Sequence, residues 1–301
     1  MSENQKHISV CIPTFKRPEM LHRCLEGVRS QTQSGFDYSV VVVDNDAGRS
    51  AKRVADLWRE RFPGRLGYFV ETEQNIALAR NKAIANSSGG LLAFIDDDEF
   101  PEPSWLLNLL AAFEKYSVDG VLGPVIPSYE GNPPEWLVKS ELCVRKPFPT
   151  GTLLRDPRYM RTGNVLFSRH ILGADTAPFD PRFGRTGGED AHFFEKQVRL
   201  GRCFVWCDEA RVFETVPRER QQARYFVKRA LIRGVTSADD ERFLSLGTLK
   251  SVTAVLIYTA SLPFLLLAGR HFFMKYFIRD CDHVSKLLAH CGIRLVRERG
   301  F

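Results

Sequence analysis

No glycine-rich phosphate loop appears in this sequence of 301 residues. GxGxxG is missing after the first apolar run, which disfavours a dinucleotide-dependent dehydrogenase, and GxxxxGK followed by Ser or Thr is missing altogether, which disfavours a P-loop NTPase. Paired CxxC spacing is absent as well. The seven cysteines are odd in number and scattered, and the tightest Cys/His grouping, Cys281, His283, His290 and Cys291, lacks the spacing of a zinc site. There is no internal repeat and no low-complexity stretch, and no cleavable signal precedes the first apolar run, so a reducing cytosolic location is expected. Charge of either sign is absent from 251 to 269, which reaches the length of a short membrane-crossing helix despite Thr253, Thr259, Ser261 and Pro263.

Hydrophobic content of 44% and charged content of 26% are those of an ordinary globular chain, neither disordered nor polytopic. The length suits one large domain, expected over 1–235, and a C-terminal helical region over 236–301. The formal net charge is +6, and the excess gathers in Arg218, Arg220, Arg224, Lys228, Arg229 and Arg233. Such a cluster suits phosphate-bearing ligands or an anionic membrane surface. No nucleic-acid-binding module is recognisable, so nucleic acid is not expected as a partner.

The first half alternates short apolar runs with helical periodicity, the pattern of a sheet assembled from βαβ units. Ile8 to Ile12 predicts a first strand, and Pro18 opens a helix whose Leu21, Cys24, Leu25 and Val28 recur at three- and four-residue spacing. Val40 to Val43 predicts a strand covered on both faces, ending in Asp44. A helix from about Ser50, a strand near 66–70 and a helix carrying Ile76, Ala79, Ala83 and Ile84 follow. Leu91 to Ile95 predicts another strand, stopping at Asp96, Asp97 and Asp98, and Ser104 is placed to cap the next helix. The prolines between Gly120 and Asn164 predict irregular structure, and a helix is expected over about 190–200.

Ligands of open α/β sheets bind beyond the carboxyl ends of the strands, where Asp44 and Asp96 to Asp98 fall. Three consecutive carboxylates raise one another's pKa unless a cation neutralises them. Mg²⁺ or Mn²⁺ does so with oxygen ligands, one or two from the protein and the rest from phosphate and water. In an extended segment Asp96 and Asp98 share a side, so a metal there is expected to bridge to a nucleotide diphosphate.

The stretches Ser9 to Pro18, Val42 to Asn45, Asn75 to Asn81, Phe94 to Glu99 and Gly187 to Asp190, in that order, resemble family 2 glycosyltransferases. The Thr162-Gly163-Asn164, Thr186 to Asp190 and Glu214 to Pro217 stretches look like the subgroup of succinoglycan-type exopolysaccharide glucosyltransferases. The resemblance implies a GT-A fold, in which a Rossmann-like nucleotide-binding mixed sheet is flanked by helices. It implies an inverting transfer of a sugar from a nucleotide-diphosphate donor, a UDP-sugar, to a hydroxyl of a saccharide or polyprenyl-linked saccharide. Residue by residue, Pro13, Thr14 and Arg17 would border the nucleotide, with Asn75 among the donor contacts, and Asp44 would accept a hydrogen bond from the base. Arg80 would lie near the nucleotide or the sugar, and Asp97 against the sugar or ribose. Asp98 would be the principal metal ligand with Asp96, and Asp190, beside Glu189, the general base. Gly187, Gly188 and Asn164 would lie against the acceptor.

Gln221 to Tyr225 is similar to the QxxRW motif of polysaccharide synthases, which makes Arg224 the expected diphosphate contact. Where many members carry a metal-binding His, this chain offers Glu214, which can ligate the metal or pair with Arg218 or Arg220. Two other functions share parts of this pattern: a sugar-phosphate nucleotidyltransferase, which lacks its glycine-rich loop here, and a non-catalytic membrane-bound saccharide-binding protein. The uncharged stretch is expected to lie in a membrane interface, to form a re-entrant hairpin with 271–278, or to close the main core, at the cytoplasmic face of the membrane.

Overall fold

The structure is a computed structural model that describes residues 6–62, 65–184, 187–239, 241 and 243–296. Thr186, part of the resemblance above, lies outside the described residues. The chain divides into two units, Met1–Pro127 with Arg145–Thr215, and Ser128–Val144 with Val216–Phe301.

The first unit opens with the anticipated alternation: β1 (Lys6–Thr14), α1 (Pro18–Arg29), β2 (Phe36–Asp44), α2 (Lys52–Arg61), β3 (Leu66–Val70), α3 (Ile76–Ala85) and β4 (Leu91–Ile95). After β5 (Glu99–Pro101), α4 (Trp105–Tyr116) and β6 (Gly120–Leu122), β7 (Val125–Tyr129) leads to α5 (Glu135–Ser140). The chain then continues through β8 (Leu153–Leu154), β9 (Asn164–Ser168), α6 (Glu189–Arg199), β10 (Phe204–Trp206) and β11 (Val212–Val216). Eight strands form one mixed sheet in the order β3-β2-β1-β4-β9-β6-β10-β8. The pairs β1–β2, β2–β3 and β1–β4 are parallel, whereas β9 runs antiparallel to both β4 and β6.

The β-branched runs of β1 and β2 are buried on both faces because helices cover both sides of the sheet. One side holds Ile8, Val10, Val40 and Val42 against Leu21, Leu25 and Trp105, and the other holds Cys11, Val41 and Val43 against Ala79, Ala83 and Phe193. The segment expected to be irregular contains β6, β7, α5 and β8, each six residues or shorter. Pieces that short show no period, so the prolines dominated the sequence pattern. Ser104 does occupy the cap position of α4, yet its hydroxyl makes no cap bond. Its near-helical φ of −94° and ψ of 6° differ from the extended backbone that points a cap oxygen at the first turn.

The second unit contains α5, α7 (Ala223–Asp239), α8 (Leu246–Ala268) and α9 (Arg270–His290). It begins at Val216 rather than 236 and includes 128–144, because Trp136 and Leu137 of α5 share an apolar cluster with Phe226, Ala230, Met274 and Ile278. Helix α9 runs well past Ile278, so the hairpin has two arms of similar length, 23 and 21 residues. Only 6% of the apolar window of α8 is buried. It is the one described helix long and apolar enough to cross a membrane by length and composition.

Candidate active site

The carboxyl ends of β1, β2 and β4 meet at one rim. Thr14, the last residue of β1, is in register with Asp44, the last of β2. Its hydroxyl donates to Asp97 at 2.7 Å, joining the end of β1 to the aspartates that follow β4. Pro13 is buried beside it, opposite Val43. Asp44 is fully buried, and its Oδ2 accepts the Ala51 N–H and the Tyr68 hydroxyl, each at 2.8 Å. Burial holds its pKa above the usual carboxylate value, against the lowering effect of those two donors. The other oxygen, Oδ1, is buried with no hydrogen-bond partner.

The aspartates are not extended. Asp97 and Asp98 form a turn, closed by the Glu99 N–H donating to the Asp96 carbonyl at 3.1 Å, so the expected shared side for Asp96 and Asp98 does not arise. The turn divides the three side chains between two arginines. Arg17 places one Nη1 at 3.1 Å from Asp97 and 3.0 Å from Asp98, while Arg80 reaches Asp96 at 3.2 Å. Asp97 is 4% exposed, and burial raises its pKa to about 7 despite Arg17. Glu99, which completes the acidic run, is buried, and burial together with Asp96 pushes it well above the usual range.

Arg80 ties this turn to the second acidic pair. It is buried on α3 and forms an ion pair with Glu189 as well as Asp96, although Arg80 and Glu189 lie 109 residues apart in sequence. Glu189 and Asp190 form the first turn of α6, where the helix dipole favours acidic residues. Gly187 and Gly188 enter that turn at φ of +85° and +103°, a conformation open to glycine at little cost, which accounts for the pair ahead of the acids. Asp190 accepts its neighbour Ala191 N–H and faces Arg161 at 3.6 Å. Asp44, Thr14, Asp97, Asp98, Arg17, Asp96, Arg80, Glu189 and Asp190 thus form one connected series around the strand ends.

Other expected site residues are engaged differently. Asn75 is the N-cap of α3, its Oδ1 accepting from Ala77 and Leu78 and its Nδ2 donating to the Pro181 carbonyl. Asn164 commits its amide to the frame, donating to the carbonyls of Pro124 and Ala210 and accepting from the Trp105 indole. Glu214 sits opposite Glu99 in the β5–β11 pair and pairs with Arg145 at 2.7 Å. Arg224 is exposed on the first turn of α7, in the second unit. Arg145, Arg161 and Tyr68 carry no signal in the sequence, whereas Glu99 stands out there by its place directly after three aspartates.

The donor set is suited to a hard divalent ion without forming a cage for one. Among the described residues no three His, Cys, Asp or Glu side chains converge on a common point. The carboxylates of Asp96, Asp98, Glu189, Asp190 and Glu214, even without Asp97 and Glu99, which burial holds toward the neutral acid, nevertheless outnumber the guanidiniums of Arg17, Arg80, Arg145 and Arg161. Such an excess fits a metal held by one or two aspartates and completed by phosphate oxygens.

A model of glycosyl transferase family 2 matches residues 9–179, the stretch that contains the strand ends and the aspartate turn. The chain belongs to this family. It is 30% identical over 237 residues to the succinoglycan biosynthesis protein ExoM of Rhizobium meliloti, covering 78% of this chain and 75% of that one. To glycosyltransferase AglE of Haloferax volcanii it is 33% identical over 207 residues, 67% and 64% of the two chains. The fold is GT-A. It is similar to that of mannosyltransferase PcManGT from Pyrobaculum calidifontis, solved with GDP-Man and Mn²⁺, with a TM-score of 0.62 at 17% identity over 93% of this chain and 86% of that one. S. aureus TarS 1-349 in complex with UDP-GlcNAc superposes with a TM-score of 0.56 at 15% identity over 95% and 91%. The protein is therefore a glycosyltransferase of glycan biosynthesis.

Proposed function

We propose that the protein performs an inverting transfer of a sugar from a UDP-sugar to a hydroxyl of a saccharide or polyprenyl-linked saccharide, at the cytoplasmic face of a membrane. The observation that carries this reading is the continuous series from Asp44 to Asp190, which brings a base-recognition carboxylate, an acidic turn and a second acidic pair to one rim.

Each part has a chemical task. The unpartnered Asp44 Oδ1 suits the imide N–H of a uracil, and Tyr68 and the Ala51 N–H hold the carboxylate in orientation. Thr14, Pro13 and Arg17 flank the nucleotide, and Asp97 and Arg80 lie toward the ribose and the sugar. Asp98, with Asp96 or Glu214, would hold Mg²⁺ or Mn²⁺. When bound, that ion neutralises charge on the diphosphate as it leaves. Arg224 keeps the diphosphate role that the QxxRW-like stretch implies, and a guanidinium suits the developing negative charge.

Asp190 removes the proton of the attacking acceptor hydroxyl while the bond from the anomeric carbon to the diphosphate breaks on the opposite side, which inverts the anomeric configuration. Gly188, where an added Cβ would meet nothing within 4 Å, leaves room beside it for the acceptor, which Gly187 is also expected to line. Incubating the protein with a panel of nucleotide sugars, with and without Mn²⁺, tests the reading. Metal-dependent release of UDP from one UDP-sugar is expected, and release from none, or release that chelator leaves unchanged, would overturn it.

A further inference from the structure

Helix α8 is apolar over most of its surface and carries one narrow polar seam. Thr248, Ser251 and Thr259 turn toward α9, where they meet His290 Nε2 at 3.4 Å, His283 Nδ1 at 3.1 Å and Asp280 Oδ2 at 3.0 Å. Away from that seam the helix presents Leu249, Leu256, Phe264 and Leu267 at seven-, eight- and three-residue spacings, which place them on one side, with Leu256 68% and Leu267 89% exposed. Polar side chains not used by α9 are satisfied locally: Thr253 donates to the Leu249 carbonyl and Ser261 to that of Tyr258. The outward face therefore offers hydrocarbon with no open hydrogen-bonding demand.

Length alone would let α8 cross a bilayer, since 23 residues extend roughly 35 Å. Its partner cannot follow. Helix α9 packs along both α7 and α8, and Gly234 of α7 allows so close an approach that an added Cβ would lie 2.3 Å from the Asp282 carbonyl. Ion pairs tie α9 to its neighbours: Asp282 to Arg233 of α7 at 3.0 Å, Lys286 to Glu241 just beyond α7 at 2.9 Å and Lys275 to Glu141 at the end of α5 at 3.7 Å. A spanning α8 would carry these charges into hydrocarbon or strip its own polar seam from α9, and both are costly.

We infer that α8 is an in-plane anchor, its Leu249–Leu267 face embedded in one leaflet of an anionic membrane, while α9 serves as a polar saddle that prevents it from spanning. The cations support an anionic leaflet: the exposed Lys250 in the second turn of α8, Arg270 two residues past its end, and the exposed Lys228 and Arg229 on α7. This rests on the membrane location proposed above. It adds an orientation, and it explains how a chain with one apolar helix stays on a single side.

The test uses the full chain with vesicles of phosphatidylglycerol and phosphatidylcholine. Flotation is expected, with loss of at least tenfold in the bound fraction on Leu256→Asp and unchanged UDP release from donor in vesicle-free solution. Absence of flotation by the unsubstituted protein would remove both the membrane location and the anchor. A dimer in solution abolished by Leu256→Asp, without flotation, would assign the face to a second copy. Orientation is read separately from Leu249→Trp, Leu256→Trp and Leu267→Trp, with lipids brominated either near the headgroup or near the bilayer centre. An in-plane helix gives all three the same shallow quenching profile. Deep quenching of Leu256→Trp alone, with shallow quenching at 249 and 267, would establish a span and overturn the inference while leaving the membrane location intact.

Discussion

Replacing Arg80 with Met tests whether the two acidic clusters are held together by one buried guanidinium. Methionine keeps an unbranched apolar stem and removes the charge. Arg80 is 5% exposed and Glu189 6%, so the Arg80→Met variant leaves a carboxylate buried without its cation, a loss of about 3–5 kcal/mol. The Asp96 contact adds little, because that side chain is 36% exposed and water screens it, worth under about 1 kcal/mol. Since native domains are stable by only about 5–15 kcal/mol, the deficit would be plain in urea unfolding. The pair is isolated by a double-mutant cycle with Glu189→Gln, which removes the stranded charge. Arg80→Met with Glu189→Gln should be more stable than the sum of the single losses implies, by roughly 2 kcal/mol or more. A cost below about 1 kcal/mol for Arg80→Met, or losses that add within about 0.5 kcal/mol, would refute the claim that this pair locks α3 to α6.

Three further outcomes follow from the site. Tyr68→Phe removes one of the two donors to Asp44 Oδ2, and calorimetry should find UDP binding weaker by about fivefold, the equivalent of one hydrogen bond of about 1 kcal/mol; unchanged affinity would separate Asp44 from the base site. Asn164→Ala strands the Ala210 carbonyl and an indole N–H and leaves the Pro124 carbonyl with the Val212 N–H alone, so unfolding midpoints should report a loss of about 2 kcal/mol or more, while the KM for acceptor in the folded fraction stays within about twofold. Asp98→Ala should abolish the enhancement of donor binding by Mn²⁺, seen by titrating donor with and without the ion; an undiminished enhancement would move the metal away from the aspartate turn.

The strands and their ends were readable in the sequence because a β-branched run such as Val40 to Val43 cut off by Asp44 carries both its burial and its terminus in local pattern. Helix α1 was equally legible, since Leu21, Cys24, Leu25 and Val28 lie on one face and are all buried. Less could be read of the connections. Nothing local to Arg80 distinguishes a surface arginine from one buried between Asp96 and Glu189, since the second partner is 109 residues away. The aspartate run could not announce its turn, because strand end and turn share the same residues. Arg145 and Tyr68 gave no signal, for their partners Glu214 and Asp44 are met only through strand pairing and tertiary packing. The uncharged stretch of α8 has one composition whether buried or exposed, so only the packing of α9 on a single face separates those outcomes.

The most direct measurement of the central claim compares donor binding with transfer in the Asp190→Asn variant. The carboxamide preserves the shape of the side chain but cannot take up the acceptor proton as the carboxylate does. Donor affinity should stay within about twofold while the single-turnover transfer rate falls by roughly 10²–10⁴. A variant that transfers sugar at the unsubstituted rate would contradict the assignment of Asp190 as the base and, with it, the catalytic reading of the series that begins at Asp44.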